Sequence, residues 1–94
     1  MELRFLIDPE TELPHIYGHG VTEAEVHQVL AGRGEDVRGD EDSRMKIGQT
    51  AAGRFLQVIY VPDPDRASAF VVTAYDLKPQ AKKAFRRRQR RKGR

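Results

Sequence analysis

The sequence predicts a small α+β domain with an antiparallel β-meander and a basic C-terminal helix. The sheet is predicted by "RMKIGQT", "RFLQVIYV" and "AFVVTAY", which are apolar runs of strand length joined by a short turn or loop. The helices are predicted by a capping motif and by apolar residues at helical spacing. With 94 residues, the chain has room for one domain. It contains no cysteine, which excludes disulfide frameworks and cysteine-based zinc or redox chemistry.

The first third of the chain predicts one strand and two helical segments. Residues 2–7 alternate in the manner of a strand. Pro14 suits the first turn of a short helix, which Gly20 can end in the left-handed conformation. A second helix follows, because Thr22 and Glu25 have the spacing of a capping box.

Three more strands are predicted in the second half of the chain. In the first of them Met45 and Ile47 alternate with Arg44 and Lys46, and we expect the apolar pair to face inward and the charged pair outward. Gly53 suits a turn with positive φ. The strand after that turn is apolar on both faces, which favours a central position. Consecutive strands with short connections predict antiparallel pairing.

Charge is divided unevenly along the chain. Residues 1–77 contain all fourteen Asp and Glu and seven Lys and Arg, whereas from Lys78 onward there are ten Lys and Arg and no acid. This asymmetry is typical of proteins that bind polyanions or acidic partners. Three interpretations stay open: a phosphate-binding surface, a disordered solubility tail, or a segment folded back on the acidic body.

The basic segment is predicted to begin as a docked helix. Asp76 is a candidate N-cap, and Leu77, Ala81, Ala84 and Phe85 form a narrow apolar stripe. Beyond about residue 88 nothing apolar remains, so we expect a domain of residues 1–88 and a frayed basic tail of residues 89–94.

Cations recur at every fourth residue of this helix and share one face. Like charges at that spacing repel by a few tenths of a kcal/mol per pair, and an anionic ligand would relieve the repulsion. The candidate RNA-binding residues are Lys78, Lys82, Arg86, Arg87 and Arg90.

Three features occur in a characteristic order: His19-Gly20 before the capped helix, the hairpin segment "IGQTAAGR", and a basic helix after the last strand. Over roughly residues 15–90 this order resembles the BrnT-like toxins of bacterial type II toxin–antitoxin operons. Tyr75 departs from the Arg that this family usually carries near the end of the last strand. The departure also matches a related domain family of uncharacterised function with the same layout.

The resemblance implies a RelE-like fold, in which helices pack on one face of a small antiparallel sheet. It implies cleavage of RNA, free or on the ribosome, and a cognate antitoxin that blocks this activity. No small-molecule cofactor is expected. The apolar start "LRFLI" is interrupted by Arg4 and stopped by Asp8 and Pro9, so we expect a cytoplasmic protein without a signal peptide or membrane span.

Metal-free RNA cleavage needs a proton acceptor for the attacking 2′-OH, a proton donor for the leaving oxygen, and cations around the developing phosphorane charge. His19 is the candidate acid/base, since imidazole titrates near neutral pH. Arg44, Lys46 and Arg54 are candidates for holding the scissile phosphate. Tyr75 could transfer a proton or stack a base. Each of these residues also has an ordinary structural interpretation, at a helix end, on a solvated strand face or in packing.

Two metal-binding interpretations are weaker. His15 and His19 stand four residues apart, with His27 eight further on, but Gly18 lies between the pair and the chain has no Cys. The acidic residues 35–36 and 40–42 lack an EF-hand pattern and predict a solvated loop, which could also neutralise the basic end. We therefore predict no metal site.

Three hypotheses remain. The first is an endoribonuclease toxin of the mRNA interferase type. The second is a non-catalytic RNA- or ribosome-binding module. The third is a protein-interaction domain whose basic end docks on an acidic partner such as an antitoxin.

Overall fold

A computed structural model describes residues 1–65 and 67–92. The five strands form one sheet in the order β1-β5-β4-β3-β2, antiparallel throughout except for the parallel β1–β5 pair. The α+β class with a basic C-terminal helix is confirmed. Neither α-helix of the described residues has the length and apolar character to cross a membrane. The elements are β1 (Glu2–Phe5), a 3-10 helix (His15–His19), α1 (Glu23–Ala31), β2 (Gly34–Arg38), β3 (Arg44–Gln49), β4 (Phe55–Pro62), β5 (Ser68–Asp76) and α2 (Pro79–Lys92).

Helix α1 begins at the predicted capping box. The Thr22 hydroxyl accepts a hydrogen bond from the Glu25 amide at 3.2 Å, and the Glu25 carboxylate accepts one from the Thr22 amide at 3.0 Å. The glycine predictions are also confirmed, because Gly20 ends the 3-10 helix at φ 70° and Gly53 lies in the hairpin turn at φ 95°. These local signals fix where α1 and the hairpin begin.

The main hydrophobic core lies between α1 and the sheet. Val26 and Val29 of α1 are fully buried, as are Leu56 and Val58 of β4. Burial of this kind stabilises by about 1.5–3 kcal/mol for each large apolar side chain. The core therefore holds α1 firmly on this side of the sheet, which we call the α1 side.

Helix α2 packs on the other side of the sheet. Neighbouring residues of a strand point to opposite faces, so Phe55 points away from the core residue Leu56. Phe55 meets Phe85 of α2 edge to face, with the ring centroids 6.0 Å apart and the ring planes at 78°. Ile47 and Leu77 complete this small cluster. The two helices thus lie on opposite sides of the sheet, which differs from the single helical face that the resemblance implies.

Strand β2 is absent from the sequence prediction, which placed its acidic residues in a solvated loop. The carboxylate of Glu35 pairs with Arg88, and that of Asp36 pairs with Arg44. At the start of the strand, a Cβ on Gly34 would lie 2.1 Å from the Ile47 carbonyl oxygen, so only glycine fits this close approach. The acidic strand is thus paired with β3 through its backbone, and cations elsewhere in the chain neutralise its carboxylates.

The side chains of β3 alternate as predicted, and Ile47 is buried, but the charged pair does not face open solvent. Arg44 pairs with Tyr60 and Lys46 with Val58, and both β4 partners are buried on the α1 side. The two cations therefore face α1, while Ile47 faces α2. The prediction was incomplete because it assumed a single buried face, whereas a helix packs on each side of the sheet.

The boundaries of α2 also differ from the prediction. Asp76 is the last residue of β5 and binds Arg54, so it does not cap α2, which begins at Pro79. The helix continues to Lys92, four residues beyond the predicted boundary at residue 88. Residues 93 and 94, the end of the predicted tail, lie outside the described residues.

Candidate nucleic-acid interface

A groove of about 580 Å³ between α2 and the sheet gathers four cations. Lys82, Arg86 and Arg90 line it from successive turns of α2, as their spacing predicts. Arg33, between α1 and β2, lines it from the opposite side. Arg33 was missed by the sequence analysis because it stands alone, without a charge pattern. The other two predicted RNA-binding residues, Lys78 and Arg87, are exposed but do not line the groove.

The groove cations differ from Arg4, Arg44, Arg54 and Arg88, each of which is paired with a carboxylate. Among residues 1–65 and 67–92, no ion pair involves any of the four groove cations. Their positive charge is therefore available to an anionic ligand. The ion pairs of the described chain are Arg4–Asp63, Arg44–Asp36, Arg54–Glu25, Arg54–Asp76 and Arg88–Glu35.

Aromatic and amide groups stand beside these cations. Phe55 is partly exposed in the groove, and the Lys82 ammonium lies 4.9 Å from its ring centroid. Phe85 is buried beneath the helix, and the amides of Gln49 and Gln89 complete the lining. Cations combined with an exposed aromatic ring are typical of sites that bind single-stranded nucleic acids.

Two of the five predicted catalytic residues meet at one corner of the molecule. The rings of His19 and Tyr75 have centroids 5.9 Å apart, and His15 packs edge-on against His19 at 5.3 Å. The Tyr75 hydroxyl accepts a hydrogen bond of 3.0 Å from Gln57, its cross-strand neighbour. The sheet thus fixes the tyrosine, while His19 is exposed.

Arg54 lies at the same corner but is fully engaged. Its Nε and Nη2 donate to the two carboxylate oxygens of Asp76 at 2.7 and 3.0 Å. Its Nη1 donates to Glu25 at 3.1 Å and to the Gly20 carbonyl at 2.8 Å. Arg54 holds the pKa of Asp76 below its usual range, and it reinforces the Thr22 amide in lowering the pKa of Glu25. Arg54 therefore joins α1, the 3-10 helix and β5 structurally.

Arg44 and Lys46 lie on the α1 side, away from that corner. Arg44 Nε donates to Asp36 at 2.7 Å, and the Tyr60 hydroxyl donates to the same carboxylate. Burial and this carboxylate raise the pKa of Tyr60 to about 12. Lys46 Nζ donates to the Gly32 carbonyl at 2.7 Å, at the C-terminus of α1, where a cation is favourable. The fold does not bring these two cations together with the other predicted catalytic residues.

No protein-family model, curated protein or solved structure matches this chain. The resemblance to BrnT-like toxins therefore depends on the sequence motifs alone. Within the described residues, no group of three or more His, Asp and Glu side chains is arranged to hold a metal ion.

Proposed function

We propose that this chain binds RNA in the groove between α2 and the sheet. The observation that carries this proposal is that Arg33, Lys82, Arg86 and Arg90 line one concave surface and form no ion pair with any residue that the structure describes. Phosphates bound there would release counterions and relieve the repulsion between cations one turn apart on α2. Such binding needs no catalysis, and we propose that it occurs in the cytoplasm, where RNA and ribosomes are available.

Two matched double variants test the groove. Arg86→Ala with Arg90→Ala removes two groove charges, whereas Arg87→Ala with Arg91→Ala removes two charges from the same helix outside the groove. For a single strand the slope of log K against log salt is about −0.7 per phosphate contact, so four contacts predict roughly −3. The groove variant should flatten this slope by about 1.4, and the control should change it less.

The measurement is a fluorescence-anisotropy titration of a short single-stranded RNA at several salt concentrations. Equal losses in the two variants would show that α2 binds through diffuse charge and not through the groove. A flat salt dependence of the wild-type protein would contradict RNA binding. Affinity for an acidic peptide would then favour the protein-interaction hypothesis.

The contact between His19 and Tyr75 favours a second candidate function, an endoribonuclease toxin blocked by a cognate antitoxin. In this mechanism His19 would take the proton from the 2′-OH as its oxygen attacks phosphorus. Tyr75 would donate a proton to the leaving 5′-oxygen, so that a cyclic phosphate and a free hydroxyl result. The nearby Arg54 is held by carboxylates, so the described corner offers less charge stabilisation than the groove.

Cleavage assays with and without ribosomes test this candidate. His19→Gln and Tyr75→Phe should each lower the cleavage rate by about 100-fold or more, the usual contribution of a general acid or base. Both variants should still bind RNA, because neither residue lines the groove. Intact RNA under both conditions would exclude the ribonuclease function and leave the binding function in place.

A further inference from the structure

The groove contains the aromatic ring of Phe55 as well as cations. An aromatic ring can bind a part of a nucleotide other than its phosphate. We propose that one unstacked base of a single-stranded RNA stacks on Phe55, with the neighbouring phosphates on Lys82, Arg86 and Arg90. This proposal rests on the proposed RNA-binding function and specifies which part of the nucleotide the groove binds.

Phe55 is held in a fixed orientation. It is the first residue of β4, and the edge-to-face contact with the buried Phe85 sets its ring plane. In the free protein the Lys82 ammonium lies over the ring at 4.9 Å from the centroid. In the free protein the Lys82 side chain therefore covers the ring face on the side where the cations lie.

A base can replace Lys82 on this ring at little cost. A cation over an exposed ring is held weakly, whereas stacking of a base on an aromatic side chain is stronger. Lys82 lies one turn before Arg86 on α2. A displaced Lys82 ammonium can therefore bind the phosphate next to the stacked base, so the ring and the cation both keep a favourable partner.

Gln49 supplies a polar group beside the ring. It is the cross-strand partner of Phe55, and directly paired residues point to the same side of a sheet. Its Nε2 donates to the Gly53 carbonyl at 3.1 Å, while its Oε1 has no hydrogen-bond donor within the described part of the chain. That oxygen can accept an N–H from the edge of a base, and every RNA base carries such a donor. The site thus favours a base without selecting its identity.

The occupant that fits this arrangement is a single strand. Bases of a duplex are stacked and paired, so their faces cannot reach Phe55 without unpairing. A cavity of about 580 Å³ lies within the size range of small-molecule sites and has room for one nucleotide. The cations beside the ring match the phosphates that flank such a base.

The test compares a short oligoadenylate with an abasic strand of the same length and with an RNA duplex. The wild-type protein should bind the oligoadenylate about tenfold more tightly than the abasic strand, as expected for one stacked base. Phe55→Leu should lose this preference and keep the salt slope, whereas Phe55→Tyr should keep both. Gln49→Ala should weaken binding of the oligoadenylate about threefold, the effect of one neutral hydrogen bond.

Equal affinity of the wild-type protein for the normal and abasic strands would overturn the proposal, and this result needs no variant. A Phe55→Leu protein that is folded by circular dichroism and keeps the tenfold preference would overturn it too. Adenosine monophosphate that binds as tightly as the strand would identify a free nucleotide as the occupant and would also overturn it. Salt-dependent binding without base preference would leave the proposed RNA-binding function standing, whereas no binding to any strand would refute that function itself.

Discussion

The two sides of the sheet are built in different ways. On the α1 side, ten buried residues form one continuous core, and Arg44 and Arg54 are both held by carboxylates. On the α2 side, the described residues that are buried together are only Ile47, Leu77 and Phe85, and a groove remains beside them. The α1 side thus supplies most of the stability, while the α2 side leaves cations and an aromatic ring available to a ligand.

The difference in charge pairing has a simple origin in the sequence. Strands bring residues that are distant in sequence side by side, so Arg54 meets Asp76 and Arg44 meets Asp36. Helix α2 contains no acid of its own, and its one ion pair in the described chain is made by Arg88 to a neighbouring strand. Within the described residues the other cations of α2 make no ion pair. Besides Arg54, however, Lys82 lowers the pKa of Asp76 through its charge, and besides Arg88, Lys92 lowers the pKa of Glu35 in the same way. Arginines on the α1 side therefore stabilise the fold, and those lining the groove suit a ligand.

The largest expected effect is on the free energy of unfolding, when one buried side chain on each side of the sheet is shortened to alanine. Leu56→Ala removes a fully buried side chain of the main core and should cost about 2–5 kcal/mol of the free energy of unfolding. Phe85→Ala should cost less than the roughly 3–5 kcal/mol typical of a buried Phe→Ala change, because the adjoining groove lets the site collapse or fill with water instead of enclosing a cavity. Urea denaturation monitored by circular dichroism measures both values.

The substitution on the α2 side should also affect ligand binding. Phe85→Ala should weaken RNA binding, because α2 carries three of the four groove cations and loses its buried anchor. If Phe85→Ala instead costs as much stability as Leu56→Ala, the two sides form a single cooperative core, and the contrast between them fails.

Features that depend on adjacent residues could be predicted from the sequence. The capping box of Thr22 and Glu25 and the left-handed Gly20 are set within a few residues of one another, and the structure has both. The face shared by Lys82, Arg86 and Arg90 follows from helical spacing alone. In each case the conformation depends on residues close together in the sequence, so the sequence alone was sufficient to predict it.

Features that depend on distant partners could not be predicted. Strand β2 pairs with β3, and its carboxylates bind Arg44 and Arg88, neither of which is adjacent in sequence. Arg33 and Phe55 join the groove only because α2 crosses to the side of the sheet opposite α1. The same limitation applies to Arg54, whose carboxylate partners come from α1 and β5.

The smallest effect concerns the one ion pair of α2, between Arg88 and Glu35. Chiefly through its hydrogen bonds, Arg88 lowers the pKa of Glu35 below its ordinary value of 4.5, and burial opposes this effect. In acid the unfolded chain therefore binds this proton more readily than the folded chain. The stabilising contribution of Glu35 is complete well above pH 4.5 and is lost as the pH falls through the lowered pKa.

Glu35→Gln should remove this contribution at neutral pH, so the difference in unfolding free energy from the wild-type protein should shrink as the pH is lowered from 7 to 3. Urea denaturation at several pH values measures the difference, and Glu10→Gln, which alters an exposed loop carboxylate, is the matched control. Arg88 is 45% exposed, so 1 M salt should reduce the effect at neutral pH. A difference that stays constant with pH would mean that Glu35 stabilises β2 through its shape and backbone pairing. The attachment of α2 would then depend on Phe85 and its apolar neighbours without help from charge.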